Sequence, residues 1–154
     1  MVDKSQPNYW LISEIREALG HMGAPYDMYL ADDFDGVADK YKAIIVVQSV
    51  KTALSDDVIE KAEKKGIPLF VITSNKTTAE DLHKFCEDSG VHMYCNKKAV
   101  VYSSESYVFT HTGEDGMFDF TFDDKHTFTD VYTGKEITFP CELTLGKSFL
   151  FRRG

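Results

Sequence analysis

The chain has 154 residues, enough for one domain or two small, closely packed ones, and its apolar fraction of 43% argues against a disordered polypeptide. Its 25 acidic and 17 basic residues give a net charge of −8 with no Lys/Arg stripe. Nucleic-acid binding is disfavoured, because clustered cations are what displace counterions from phosphates. The opening residues 1–7 are short and polar, unlike a secretory leader, and the longest apolar run, residues 43–47, is far too short to span a bilayer.

Leu11, Ile15, Ala18, Leu19 and Met22 recur at helical spacing, with Glu14, Arg16, Glu17 and His21 on the other faces. Pro7 suits the first turn of this helix, and Gly23 before Pro25 stops it. Tyr26-Asp27-Met28-Tyr29-Leu30 alternates as a strand does and runs into Asp32-Asp33-Phe34-Asp35-Gly36, which reads as a loop. Ala43-Ile44-Ile45-Val46-Val47 is continuously apolar and β-branched, the pattern of a strand buried on both faces of a parallel sheet.

Ser55 is the expected N-cap of the next helix, with Asp56 and Asp57 early and Lys61, Lys64 and Lys65 late, both suited to the helix dipole. Leu54 would staple onto Ile59, and Gly66 would end the helix. Leu69-Phe70-Val71-Ile72 reads as a second buried strand. Thr77 and Glu80 form an expected capping box for a third helix, whose apolar face is Leu82, Phe85 and Cys86 and whose end is Gly90. The order fits a flavodoxin-like, doubly wound α/β layer (the class I amidotransferase-like arrangement) over residues 1–90. Such a layer normally begins with a strand ahead of its first helix, and the residues before this helix supply none. Either that strand lies upstream in a longer chain or another molecule fills the gap.

From Val91 onward the helical period disappears. Short apolar stretches at 91–95, 99–102, 107–111, 117–122, 127–132, 136–139, 142–145 and 148–151 alternate with turn clusters such as Asp123-Asp124-Lys125 and Thr133-Gly134-Lys135. Phe118, Phe120 and Phe122 share one strand face, and Gly146-Lys147 reads as a two-residue hairpin turn. The spacing predicts a small antiparallel β-sandwich over residues 91–154, whose first one or two strands could instead extend the α/β sheet.

Ligands of open α/β sheets gather at the carboxyl ends of the strands, which here carry Asp32 and Asp33, then Gln48 and Ser49, then Thr73, Ser74 and Asn75. Asp32, Asp33, Gln48, Ser74 and Asn75 are therefore the candidate ligand-binding residues. The ordinary role of such residues is to cap helices and close turns. The strand-to-helix turn Thr73-Ser74-Asn75-Lys76 has no Cys and no flanking glycines, so no nucleophile elbow is expected and no catalytic residue is assigned.

His83, Cys86, His92 and Cys95 are ligand-type residues, but Cys86 belongs to a buried stripe, and His92 and Cys95 point to opposite strand faces. Neither a metal nor another cofactor is expected. Asp32/Asp33 and Asp123/Asp124 are sequence neighbours rather than carboxylates held on opposite sides of a glycosidic bond. The aromatics of the second half could stack on sugars, although strand aromatics at period two ordinarily form core. The three cysteines, Cys86, Cys95 and Cys141, have no disulfide spacing, which favours reduced thiols and a cytoplasmic setting.

Residues 23–34 (Gly-Ala-Pro-Tyr-Asp-Met-Tyr-Leu-Ala-Asp-Asp-Phe) followed by Tyr41-Lys42-Ala43-Ile44-Ile45-Val46 resemble the amidotransferase-like domain of β-galactosidase-type glycoside hydrolases. Gly90-Val91-His92-Met93-Tyr94-Cys95, Val100-Val101-Tyr102, Asp130-Val131-Tyr132-Thr133-Gly134 and residues 146–152 resemble the small C-terminal β domain of the same family. The resemblance implies a catalytic (β/α)8 barrel as partner in a longer parent protein, with both acid/base glutamates on that barrel, and a homo-oligomer built partly through the α/β domain. The absent first strand is a departure from the family. The reading that follows is a non-catalytic accessory or assembly region of a glycoside hydrolase. The alternatives are a stand-alone small-ligand or carbohydrate-binding module and, third, a small hydrolase using Ser74 or a cysteine.

Overall fold

The computed structural model describes residues 6–122 and 127–154, with side chains from residue 10 onward. Residues 1–5 and the Asp123-Asp124-Lys125 turn with its acidic pair lie outside the described residues. Two compact units emerge: Met1–Ala18 with Tyr26–Val91, and Leu19–Pro25 with His92–Gly154. The first is mixed α/β with a parallel sheet; the second is antiparallel throughout its strand pairs.

Helix α1 (Gln6–Gly20) buries Leu11, Ile15 and Leu19 of the expected face; Ala18 is half-buried, and Ile12, outside the expected stripe, is buried as well. Residues 26–30, expected as a strand, form no named strand, and Tyr26, Met28 and Leu30 are exposed. Alternation records only which residues could share a face; a strand also needs a continuous ladder, and in this stretch Leu30 alone is in a bridge. The Asp-rich stretch after it is helical rather than loop. A 3₁₀ turn (Ala31–Asp33), a one-turn helix α2 (Phe34–Val37) and a second 3₁₀ turn (Ala38–Lys40) follow one another. Ala31, Phe34 and Ala38, three and four residues apart, turn inward, while Asp35 and Asp39 meet Lys61 and Lys65 at 2.8 and 2.7 Å.

Strands β1 (Ile44–Val47) and β2 (Leu69–Ile72) pair in parallel, Ile44 opposite Leu69 and Val47 opposite Ile72. They are the two strands of this sheet among the described residues. Burial on both faces holds better for β1 than for β2, where Leu69, Phe70 and Val71 are half-buried and Phe70 packs on Phe85 with ring centroids 5.3 Å apart. Between the strands, α3 (Ala53–Lys65) packs Val58 and Ala62 with Ala31, Phe34, Ala38, Ile44 and Val46.

The cap of α3 is Thr52, not Ser55. Thr52 Oγ1 accepts from Ser55 N at 3.1 Å, and Thr52 N donates back to Ser55 Oγ at 3.1 Å. With the start moved three residues upstream, Leu54 lies inside the helix and packs on the core instead of acting as a staple. Gly66 ends α3 at φ 67, a left-handed conformation that favours glycine. Helix α4 (Ala79–Asp88) is capped by Thr78 with Asp81, one residue beyond the expected Thr77/Glu80 box. The Asp81 carboxylate accepts from the Thr78 N–H at 2.9 Å. Leu82 and Cys86 are buried on its inner face.

In the second unit, β3 (Ala99–Ser103), β4 (Tyr107–Thr112), β9 (Ser148–Arg153), β6 (Phe128–Asp130) and β7 (Glu136–Ile137) form one sheet in that order. A second sheet pairs β5 (Gly116–Phe118) with β8 (Cys141–Leu143). Both sheets feed one core of Cys95, Ala99, Val101, Val108, Phe118, Phe120, Phe128, Leu143 and Phe151. The inferred Phe face is present: Phe118, Phe120 and Phe122 stack in succession at 6.2 and 6.5 Å.

Two local expectations change. Residues 91–95 make no strand; Cys95 contributes a single bridge to Phe120, and Tyr94 N donates to Gly23 O at 3.0 Å. The Gly146 turn does not close a hairpin, because β8 pairs with β5 whereas β9 pairs with β4 and β6. It carries the chain from one sheet to the other and is held by Thr112, whose Oγ1 donates to Thr144 O at 2.5 Å and accepts from Lys147 N at 3.1 Å.

Candidate functional site

The strand-end residues divide into one buried side chain and four exposed ones. Gln48 is 4% exposed, immediately beyond β1, and its N–H extends the parallel ladder by donating to Ile72 O at 2.8 Å. Asp32 and Asp33 are exposed on the 3₁₀ turn, where Asp33 Oδ2 accepts from Leu30 N at 3.2 Å. Ser74 and Asn75 are exposed in the turn after β2. Ser74 Oγ accepts a long 3.5 Å bond from Lys76 N, and Asn75 Nδ2 donates to Glu14 Oε2 of α1 at 3.1 Å. Asp33 and Ser74 thus make the local turn contacts usual for their residue types.

The thiols are poor nucleophiles in their surroundings. Burial pushes Cys86 and Cys141 upward and raises Cys95 to about 11, so each holds its proton near neutral pH. His92 Nε2 lies 2.8 Å from Thr121 O, and its ring meets Tyr94 edge-on at 4.5 Å. Among the described residues, no three His, Cys, Asp or Glu side chains gather as metal ligands would. Within the same residues, no helix is long and apolar enough to cross a membrane.

One polar cluster escaped the sequence reading. Tyr41 OH donates to Asp27 Oδ2 at 2.6 Å and lies 2.7 Å from Tyr29 OH, with the two rings 5.8 Å apart. The bond to the Asp27 carboxylate, then that to Tyr29, raises the Tyr41 phenol above its ordinary value. These contacts tie residues 27–29 to the residue that leads into β1. Tyr and Asp two residues apart in an alternating stretch gave the only hint, and it was the same alternation that pointed to a strand.

No protein-family model matches the chain, and the search of curated proteins finds no match. Among solved structures, the apo exo-carrageenase GH42 of Bacteroides ovatus is similar to it with a TM-score of 0.54 at 10% sequence identity, over 92% of this chain and 26% of that one. A β-galactosidase from Bacillus circulans sp. alkalophilus aligns at 18% identity over 56% of this chain and 14% of that one; its TM-score of 0.36 carries no structural weight. The chain therefore spans 26% of the length of the carrageenase structure. At that identity the likeness is one of fold, a mixed α/β portion with an antiparallel β portion.

Proposed function

We propose that this chain is a non-catalytic accessory or assembly region of a larger glycoside hydrolase of the β-galactosidase type. The observation that carries the proposal is the asymmetry of the fold match, 92% of this chain against 26% of a GH42 carbohydrate-active enzyme. The proposed partner is the catalytic barrel of the same parent protein, and self-association through the α/β region is part of the reading. In this proposal residues 1–90 are a flavodoxin-like, amidotransferase-like layer completed by one further strand, and residues 91–154 are a small β-sandwich. Thiols whose acidity burial weakens and a strand-end turn without a nucleophile elbow support an absence of chemistry on the chain itself.

The coding frame 5′ of Met1 provides the test, together with an assay of the isolated chain on aryl galactosides and galactan oligosaccharides. An in-frame barrel-coding segment and an inactive chain are expected. An in-frame stop codon directly upstream with no barrel gene beside it would overturn the accessory role, as would turnover by the pure chain in the ordinary enzymatic range of about 1–10³ s⁻¹.

A second reading draws on Gln48, a buried polar side chain at the end of a parallel strand, with Asp32, Asp33, Ser74 and Asn75 as the other candidate contacts. A stand-alone module binding a small polar ligand there would gain apparent stability from it. Thermal-shift measurements against sugars and nucleotides at millimolar concentration test this, and a flat response across the panel eliminates it.

A further inference from the structure

We draw no further inference here: the strongest candidate, the outward face of the five-stranded antiparallel sheet, where Tyr102, Phe109 and Leu150 stand in register beside Tyr107 and Arg152 and both tyrosines are exposed, is an unpartnered surface patch, and nothing in the structure shows what covers it.

Discussion

In the α/β unit the buried cluster around α3 is made by small and aliphatic side chains, Ala31, Ala38 and Ala62 with Ile44, Val46 and Val58, around Phe34, while one aromatic pair, Phe70 with Phe85, lies between β2 and α4. In the β unit four phenylalanines, Phe118, Phe120, Phe128 and Phe151, stand among the buried residues, and Phe122, Phe139 and Phe149 pack against them. The difference follows from geometry. A helix settles onto a strand pair where small residues let backbones approach, whereas two short sheets with few residues per strand need large rings to fill the space between them.

Polar groups differ in the same way. The α/β unit uses local devices, the Thr52 and Thr78 caps and the i,i+4 pair of Lys61 with Asp57 at 2.9 Å, beside longer reaches such as Lys61 to Asp35 at 2.8 Å. The β unit uses side chains that reach across sequence. Thr112 holds the turn near Gly146, Asn96 Oδ1 accepts from Asp119 N at 2.9 Å, and Asp115 Oδ1 accepts from Leu145 N at 2.7 Å. Local devices are legible in a sequence window, and non-local ones are not.

The comparison can be broken most directly at its aromatic side. Phe118→Ala should cost about 3–5 kcal/mol in urea unfolding, since it empties a fully buried ring site. A loss below about 1 kcal/mol would mean that the aromatic cluster does not carry the β unit. The thiols supply the next largest effect. With Cys95 moved from 9.0 to about 11, its thiolate fraction near neutral pH falls about a hundredfold, so a thiol reagent should label it slowest, with Cys86 and half-buried Cys141 ahead. Mass spectrometry of a labelling time course reads the order. Between pH 9.0 and about 11 the native state keeps a proton that the unfolded chain releases. This contribution to stability is therefore present below pH 9.0 and fades as pH rises to about 11.

A pair of threonines on one strand sharpens the contrast further. Thr112→Val should cost about 1–3 kcal/mol, because it strands Lys147 N and Thr144 O. Thr110→Val, two residues away, removes a buried hydroxyl that has no hydrogen-bond partner in the structure, and should be neutral or stabilising by about 1 kcal/mol. Equal losses in thermal melts would erase the distinction between a bonded and an unbonded hydroxyl. In the α/β unit, Thr52→Ala should cost about 1 kcal/mol through loss of the cap. Smallest of all, Lys61→Met should leave thermal melts almost unmoved, and less moved still in high salt, because its partners are exposed.

Several elements could be read from residues alone. The stripe of α1, the β-branched run of β1, the span of β2, the glycine stop at Gly66 and the Phe118–Phe120–Phe122 face each have a period or a residue preference that local physics enforces. The misread points share another cause. Thr52 and Ser55 are both good caps, and only the backbone decides which one stands at the boundary. Phe34 lies among four aspartates within five residues on either side, which mask a helical spacing set by Ala31 and Ala38. Of the candidate site residues, the sequence marked strand ends correctly for Gln48, but could not tell that its side chain is buried while Ser74 and Asn75 stay exposed.

What the sequence determined by itself was the change of period near Gly90, from helices and aliphatic strands to short aromatic strands, because period and side-chain size act within a few residues. Tertiary structure alone decided that residues 26–30 make no strand among the described residues, that the Gly146 turn passes between sheets, and that Tyr41 reaches Asp27 and Tyr29. Each of these depends on which distant segment arrives as a partner, and a partner's position is not encoded in the segment that receives it.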